Sequence, residues 1–400
     1  MIIEKAAEVL EKHKLCNHCI GRGFAKLGKG SNEERGRAIR FVLNMERALE
    51  EKKPLKEEEC EICGGIFDRL EDYALLCIDK AKMLEFETFL VGSSFPEEIL
   101  NREKEIFEKF GLYWEPINRE FNREVGKILE RKLNKKVNRK NPDVKFIIDP
   151  YKEKVRIEIK PVYVYGRYRK LVRGMPQTPL KGYGESVASI ICKPFGNAFK
   201  GKAVFHGAGR EDIDVRMLGN GRPFFVEIKR AKKRHANLEK IAEEIGKSGK
   251  IEVFDLRFAT REEMERLLSE RHDKEYEALV YVEEGVNGAD LRKIVQRLGG
   301  AEIVQKTPQR VLKRRSDLTR VRKVYKVSGK VIDGKHLKLR IFCEGGLYIK
   351  ELISGDMGRT TPSVSEIIGK SAVCEALDVV NVEVIEDGSK GTHTKEENQR

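Results

Sequence analysis

The chain has 400 residues, of which 40% are hydrophobic and 36% are charged, and this is enough apolar sequence for packed cores in two or three domains. Lys and Arg exceed Asp and Glu by 79 to 65, so the formal net charge is +14. This excess favours an anionic partner, and nucleic acid is the commonest one. No apolar run approaches the roughly 20 residues of a membrane helix, and no signal-peptide pattern opens the chain. We therefore expect a cytoplasmic protein without membrane contact.

Residues 1–84 combine amphipathic helices with paired cysteines. Leu, Ile and Val recur at helical spacing over residues 4–13 and 33–51, which predicts a helix in each segment. Four cysteines form two C-x-x-C pairs: Cys16 and Cys19, then Cys60 and Cys63. A two-residue spacer lets both sulfurs of a pair face one ion, so the two pairs predict a structural Zn²⁺ site. Redox-active or unliganded thiols are the alternative, and His18 could replace one sulfur.

Residues 85–167 change to short strands and helices and are predicted to form one compact α+β unit. A helix predicted over residues 116–133 carries basic residues on its polar side: Arg119, Arg123, Lys127, Arg131 and Lys132. A basic helix beside a sheet suits contacts with RNA phosphates, and an ordinary solvated helix face is the alternative. The pattern resembles the THUMP module, which implies an RNA-binding domain in this part of the chain.

Residues 168–387 are predicted to form a larger domain of strands separated by helices. The strand spacings are typical of hairpins, so the expected fold class is α+β, with a mostly antiparallel sheet and flanking helices. A stretch rich in Pro and Gly, residues 171–185, has little helix or strand signal and is predicted to link the two domains. The last residues, 388–400, have no apolar periodicity and are predicted to be disordered.

A loop within residues 207–222 places two acidic residues among arginines and glycines. The acidic residues are Asp212 and Asp214, and the flanking arginines are Arg210 and Arg216. Such a loop can aim one carboxylate at a phosphate-rich substrate, because the glycines give the backbone freedom. A polar turn with solvated charges is the structural alternative. Spacing alone does not decide which aspartate would act.

Three separated segments resemble the pseudouridine synthases. G-R-E-D-I-D-V-R-M-L-G-N-G-R-P-F looks like their catalytic loop, D-K-E-Y-E-A-L-V-Y is similar to their K-x-Y-x-A strand, and C-E-G-G-L-Y-I-K-E-L resembles a G-x-Y-I-R-x-L motif. The resemblance is greatest to the archaeal and eukaryotic tRNA pseudouridine synthase family that acts at positions 54 and 55 of the TΨC arm. That family also has the paired cysteines. The resemblance implies an isomerase that converts uridine to pseudouridine in tRNA.

The resemblance also implies roles for individual residues. Asp212, which follows an arginine by two residues, would be the nucleophile, with Asp214 as the alternative. Lys350 stands where the motif has an arginine and would pair with the catalytic aspartate, whereas Arg210 would assist extrusion of the uridine. Tyr276 would complete the catalytic set by packing against the target uracil. The expected substrate-binding residues are Tyr276, Tyr348, Ile349, Leu352 and Arg216.

The implied reaction needs no cofactor, because the uracil is detached from its sugar and rejoined to the same sugar. A separate RNA-binding domain implies that the protein recognises tRNA by itself, without a guide RNA, and as a monomer. Two basic runs, Lys229 to His235 and Leu312 to Arg320, would contact the RNA backbone.

Two other functions remain open from the sequence. Asp214 with Glu227 and Lys229 has the D…E-x-K form of a metal-dependent nuclease, in which two carboxylates would bind Mg²⁺. The chain could also be a non-catalytic RNA-binding protein whose loop at Asp212 is only a turn. A magnesium requirement would favour the nuclease. Function that survives replacement of both aspartates would favour the binding protein.

Overall fold

The computed structural model describes residues 2–313 and 316–383, and the chain folds into two compact units. The first unit contains the chain up to Lys160 together with Arg230–Arg234. The second contains Pro161–Lys229 and the described residues from His235 onward. The tail predicted at residues 388–400 lies outside the described residues. None of the described helices is both long and apolar enough to span a membrane.

The described part of the first unit contains helices packed on a small sheet, with one short 3₁₀ helix at Ile66–Arg69. The helices are α1 (Ile2–Lys12), α2 (Asn17–Gly23), α3 (Asn32–Leu49), α4 (Leu70–Ala81), α5 (Glu97–Lys109) and α6 (Ile117–Leu133). The strands are β1 (Thr88–Ser93), β2 (Lys136–Val137), β3 (Val144–Asp149) and β4 (Lys154–Ile159). The strand order is β2-β1-β3-β4, in which β1 is parallel to β2 and β3, and β4 is antiparallel to β3.

Local sequence explains where these helices begin and which face they bury. A capping box starts α3, because the Ser31 hydroxyl accepts from the backbone N–H of Glu34 and the Glu34 carboxylate accepts from the backbone N–H of Ser31. Helix α6 repeats apolar residues at every fourth position, and Ile117, Phe121 and Val125 are all fully buried. Most of the polar residues between them are left on the opposite face, but Glu120 is buried, where its carboxylate contacts His18 and Arg22.

One hydrophobic core extends through the whole first unit. It runs from Cys19 of α2 through Tyr73 of α4 to Phe146 of β3, all of which are nearly inaccessible to solvent. The predicted regions 1–84 and 85–167 therefore share a core up to Lys160 and do not pack as two separate bodies.

The second unit is built on a large sheet. Its described strands are β5 (Val162–Lys170), β6 (Lys202–Gly207), β7 (Arg216–Lys229), β8 (Ile251–Ala259), β9 (Lys274–Val282), β10 (Glu302–Lys306), β11 (Thr319–Val331), β12 (His336–Cys343), β13 (Thr360–Thr361) and β14 (Ala372–Val382). Its described helices are α7 (Val187–Phe199), α8 (Leu238–Gly246), α9 (Arg261–Ser269), α10 (Gly288–Leu298), α11 (Ile349–Ser354) and α12 (Val364–Ile368), with 3₁₀ helices at Gln309–Val311 and Asp356–Gly358.

The sheet of the second unit confirms the predicted fold class. The strand order is β13-β10-β11-β12-β9-β14-β7-β5-β8, and β6 pairs with β7 outside this path. Among the described strands of this sheet every pairing is antiparallel except that of β7 with β14. The hairpin-like spacings correspond to β6 with β7 and β11 with β12, which are consecutive in the chain, whereas most other antiparallel neighbours are distant along it.

Strand β5 belongs to this sheet and not to the preceding α+β unit. Tyr165 of β5 pairs with Phe225 of β7 and with Arg257 of β8, so the second unit begins at Pro161 rather than at Tyr168. The alternation of residues along β5 indicates a strand but does not indicate its partners, which lie far along the chain.

Candidate active site

The loop between β6 and β7, residues 208–215, carries both aspartates. The backbone N–H of Val215 donates to the Asp212 carbonyl at 3.1 Å, which folds the loop into a tight turn. Gly209 has a φ of +85°, and a Cβ at this position would lie 2.8 Å from a guanidinium nitrogen of Arg222. Glycine is therefore needed here both for the backbone conformation and for the close packing of the loop.

Two cations lie against the aspartates. Arg310 Nη1 lies 2.8 Å from Asp212 Oδ2, and Lys350 Nζ lies 3.5 Å from the same oxygen. Lys350 Nζ also donates to both carboxylate oxygens of Asp214 at 2.7 Å, so this lysine bridges the two aspartates. Burial opposes ionisation of Asp214, but the Lys350 ammonium outweighs it, and the pKa of this carboxyl lies below its usual value. The loop thus presents two carboxylates in the field of two cations.

Arg310 is a site residue that the sequence analysis missed. It lies in the 3₁₀ helix Gln309–Val311, and its Nε donates to Glu351 Oε1 at 2.6 Å. Glu351 is nearly buried, with 7% of its side chain exposed. Burial opposes the charge of Arg310, but Glu351 and Asp212 together outweigh it and raise the pKa of the guanidinium. Glu351 therefore anchors the arginine that contacts Asp212.

A glycine turn brings Lys350 to the loop. A Cβ on Gly345 would lie 2.4 Å from the carbonyl oxygen of His272, so this turn packs directly on the backbone before β9. The side chain of Gln305 then accepts from the backbone N–H of Tyr348 at 2.9 Å and donates to its carbonyl at 3.0 Å. Helix α11 begins one residue later, which places Lys350 in its first turn.

The aspartates open into a cavity of about 700 Å³, within the range typical of ligand sites. Its lining includes seven of the predicted residues: Arg210, Asp212, Asp214, Tyr276, Tyr348, Ile349 and Lys350. Tyr276 lies on the central strand β9, where it pairs with Ile341 of β12 and Val379 of β14. Burial raises the pKa of Tyr276, so its ring enters the cavity as a neutral phenol. Leu377 and Val379 add apolar wall that the sequence analysis did not indicate.

Further basic residues surround the cavity. They are Arg222, Arg271, Lys274, Arg320 and Arg322. Arg320 ends the second basic run predicted to contact RNA, and Arg314 and Arg315 of the same run lie outside the described residues. Burial, assisted by the nearby charge of Arg222, lowers the pKa of Lys274 to about 8. The excess of cations suits a ligand that carries several phosphates.

Two of the predicted substrate-binding residues do not line the cavity. Leu352 has no exposed surface and belongs to the core, because a helix turns about 100° per residue and a residue two positions after Lys350 faces the opposite way. Arg216 forms a bidentate pair with Asp378, with N–O distances of 2.9 and 2.7 Å. The parallel pairing of β7 with β14 places these two residues side by side. The structure therefore places neither residue in the cavity lining, and their assignment to substrate binding stays a prediction.

The three residues of the nuclease hypothesis do not converge. Glu227 lies on β7, where its carboxylate is 3.1 Å from His206 Nε2 and 3.5 Å from Lys229 Nζ. Neither Glu227 nor Lys229 lines the cavity that holds Asp214. The described structure therefore does not bring Glu227 and Lys229 to Asp214, as this hypothesis requires.

The four paired cysteines of the first unit form one cluster, as predicted. Their sulfur atoms all lie within 4.8 Å of one another, and the sulfurs of Cys16 and Cys63 are 3.6 Å apart. Four sulfurs around a metal at about 2.3 Å would be separated by about 3.8 Å, so the cluster fits a tetrahedral ion. His18 is not part of the cluster, because its Nδ1 contacts Glu120 at 2.9 Å and its ring stacks on Phe67.

The basic face of α6 is exposed but partly neutralised. Arg123 is paired with Glu115 and Glu124, and Lys127 is paired with Glu124 at 3.0 Å. Arg119 and Arg131 also lie on this exposed side of the helix. The helix keeps positive charge available toward solvent.

Known proteins match the chain over nearly its full length. The family model described as "Pus10, C-terminal" matches residues 163–383, and the model described as "Pus10 THUMP domain, archaeal" matches residues 73–149. The chain is 60% identical to "tRNA pseudouridine synthase Pus10" of Pyrococcus furiosus, over 96% of this chain and 98% of that protein. It is 43% identical to the protein of the same description from Methanocaldococcus jannaschii, over 94% and 93% of the two chains. The chain therefore belongs to the Pus10 family of pseudouridine synthases, and it is an isomerase.

Proposed function

We propose that the protein converts uridine to pseudouridine at position 54, position 55 or both in the TΨC arm of tRNA, with Asp212 as the nucleophile. The observation that carries the proposal is the Asp212 carboxylate, which lies 2.8 Å from Arg310 and 3.5 Å from Lys350 in a cavity that also contains Tyr276. The substrate follows from the relatives, which are described as tRNA pseudouridine synthases, and agrees with the net charge of +14.

The reaction is an isomerisation in which no atom is gained or lost. The N-glycosidic bond between N1 and C1′ breaks, the uracil rotates within the cavity, and C5 of the uracil bonds to C1′ of the same sugar. C5 then loses its proton and N1 takes one up, either directly or by exchange with solvent. Asp212 begins the reaction, either by attack of its carboxylate on C1′ or by removal of a sugar proton. In both cases Asp212 acts through its carboxylate, beside which the positive charges of Arg310 and Lys350 lie.

Asp214 has a different role in this proposal. It is more exposed than Asp212, with 66% against 42% of the side chain accessible, and both of its oxygens accept from Lys350. An aspartate engaged in this way orients the lysine. Both cations contact Oδ2 of Asp212. Its Oδ1 is therefore better placed than either oxygen of Asp214 to reach the sugar.

A uridine of a folded tRNA arm is stacked, so it must leave the stack before Asp212 can reach its sugar. Arg210 lines the cavity and can contact the flanking phosphate or occupy the vacated place. Tyr276 offers a neutral ring for stacking on the uracil, and Ile349 and Val379 supply apolar surface on the wall. Unstacking costs a few kcal/mol, which the phosphate contacts would offset.

We further propose that the cysteine cluster binds Zn²⁺ as a structural ion. Four thiolates in tetrahedral arrangement are the donor set that Zn²⁺ prefers, and such an ion cross-links segments of the chain. The ion lies in the first unit and takes no part in the reaction. The protein would act in the cytoplasm as a monomer and without a guide RNA, since its own THUMP domain can contact the tRNA.

Pseudouridine mapping in an unmodified tRNA transcript tests the proposed activity. The protein is incubated with the transcript in EDTA, and the product is mapped by carbodiimide derivatisation, because the isomers have the same mass. Parallel transcripts carry cytidine at position 54 or at position 55. We expect pseudouridine at one or both positions and its loss from the substituted position. Absence of pseudouridine at both positions, or RNA cleavage that depends on Mg²⁺, would contradict the proposal.

A further inference from the structure

The segment after β5 was predicted to be a linker, but its beginning lies directly beneath the aspartate loop. The contacts are made by residues 170–175, which we call the clamp segment. It belongs to the second unit and donates hydrogen bonds to backbone carbonyls of three consecutive loop residues. A linker without a structural task would not form such contacts, so the clamp segment is part of the structure that holds the loop.

Lys170, the last residue of β5, makes the most buried of these contacts. Its residue exposure is 0%, and its Nζ donates to the carbonyls of Met175, Asp212 and Ile213 at 2.9, 3.0 and 3.2 Å. Burial lowers the pKa of Lys170, and the nearby acidic side chains act in the opposite direction. An ammonium group that has all three donors engaged ties the loop to the clamp segment at a fixed distance.

The rest of the clamp segment completes the contact. The backbone N–H of Gly174 donates to the Ile213 carbonyl at 2.9 Å, and Arg173 Nη1 donates to the Asp214 carbonyl at 2.8 Å. Arg173 is itself oriented by Asp378, whose Oδ1 lies 2.6 Å from the second guanidinium nitrogen. The carbonyls of residues 212, 213 and 214 therefore all accept hydrogen bonds from residues 170–175.

A buried network supports the residue before Asp212. The Glu211 carboxylate, which belongs to a residue only 5% exposed, accepts from the Tyr168 hydroxyl at 2.9 Å and from Arg222 Nε at 2.8 Å. Gln177 Nε2 donates to the Tyr168 hydroxyl and to the Gly209 carbonyl, both at 2.9 Å. The loop is thus fixed on both sides of the aspartates, and its backbone has little freedom to shift.

We propose that the clamp segment positions the Asp212 carboxylate for reaction, and that Lys170 is its principal positioning residue. Lys170 contacts the backbone of Asp212 and not the substrate, so it acts through the nucleophile. The direction of a side chain follows its backbone, and a displacement of about 1 Å in a reacting group can cost a hundredfold in rate. This inference rests on the proposed role of Asp212.

The test compares Lys170→Met with a lysine that makes similar contacts elsewhere in the second unit. Lys370 donates to the Gly285 carbonyl at 2.9 Å and to Asp290 at 2.7 Å, and it does not line the cavity. Single-turnover rates at saturating tRNA, tRNA dissociation constants and thermal unfolding are measured for both variants. We expect Lys170→Met to slow the reaction at least tenfold with a Kd within twofold of wild type, whereas Lys370→Met keeps the rate. Equal rates for wild type and Lys170→Met would overturn the inference.

Two more variants keep the test decisive. If Lys170→Met does not fold, Arg173→Gln replaces it, because that side chain is partly exposed and its loss frees the Asp214 carbonyl. An unchanged rate in Arg173→Gln would then overturn the inference. Asp212→Ala is assayed in parallel. If Asp212→Ala retains activity, Asp212 is not the nucleophile, and the inference about the clamp segment fails with it. If Asp212→Ala is inactive while the clamp variants react as fast as wild type, only the inference about the clamp segment fails.

Discussion

The cysteine cluster and the aspartate loop are both sites of this chain, but they are built in opposite ways. The four cysteines come from two short motifs, and their sulfurs lie within or against the hydrophobic core of the first unit. Asp212 keeps 42% of its side chain exposed and receives its cations from a 3₁₀ helix and from α11, far along the chain. The cysteine cluster is part of a hydrophobic core, whereas the aspartate loop lies at the surface of the second unit. Substitutions should therefore change stability at one site and chemistry at the other.

Asp212→Ala should give the largest effect, and it should lower the reaction rate while leaving the stability nearly unchanged. Loss of the proposed nucleophile should remove the first step of the reaction, so single-turnover pseudouridine formation should fall at least about a thousandfold. The side chain is half exposed, so the unfolding temperature should change by less than about 3 °C. Carbodiimide mapping and calorimetry measure the two quantities. A marked loss of stability in Asp212→Ala would contradict the contrast between the cysteine cluster and the aspartate loop.

Cys63→Ala should produce the opposite result. Loss of one proposed ligand should release the proposed metal ion, and the free energy of unfolding should fall by roughly 3 to 4 kcal/mol, which is the effect of a ligand present at about 100 to 1,000 times its Kd. Cys77→Ala is the matched control, since both cysteines have 0% exposure in the same unit and only Cys63 belongs to the cluster. Bound metal and urea unfolding are measured for both. Retention of metal by Cys63→Ala would refute the proposed ligand set.

Arg310→Gln tests how much the cations contribute at the aspartate site. The variant keeps Lys350, the more distant of the two cations beside Asp212, and leaves the Glu351 carboxylate buried without its Arg310 partner. The rate should fall about ten- to a hundredfold, equivalent to roughly 1.4 to 2.7 kcal/mol. Arg340→Gln, on β12, removes a similar bidentate pair with Glu275 outside the cavity and should leave the rate within about twofold. Equal losses of rate in Arg310→Gln and Arg340→Gln would show that the rate depends on total charge and not on the cation beside Asp212, which would contradict the prediction.

Lys274→Met should give the smallest effect, and it depends on pH. The pKa of Lys274 in the folded protein is about 8, below its ordinary value of 10.5. The unfolded chain therefore binds more protons between these values, and raising the pH through this window favours the folded state. Wild type should gain about 1 kcal/mol over the variant between pH 8 and pH 9. Urea unfolding at both pH values measures the difference, and a difference that does not vary with pH would contradict the pKa shift.

The residues that the sequence identified share one property, which is that a short pattern marks each of them. Two C-x-x-C pairs are enough to predict the cluster, and three motifs led to Asp212, Tyr276 and Lys350. The amphipathic period of α6 predicted its limits within one residue, because that helix packs by one face.

Arg310 was not predicted, and Arg216 was predicted but does not line the cavity. The positions of both depend on contacts that no short pattern encodes. Arg310 follows a proline in a basic stretch and becomes part of the site only because Glu351 and Asp212 meet it in the fold. Arg216 looked available beside the loop, but the strand that places Asp378 opposite it comes near the end of the chain. The predicted domain boundary near Tyr168 differs from the observed one at Pro161 for the same reason, since the partners of β5 lie in strands distant along the chain.

The most direct test of the account is a comparison of Asp212→Asn with Asp214→Asn in single-turnover pseudouridine formation at saturating tRNA. Both substitutions remove one charge and preserve the shape of the side chain. We predict no detectable product from Asp212→Asn and a rate about tenfold below wild type from Asp214→Asn, because that variant loses only the orientation of Lys350. An inactive Asp214→Asn beside an active Asp212→Asn would contradict the account and assign the reaction to the other carboxylate.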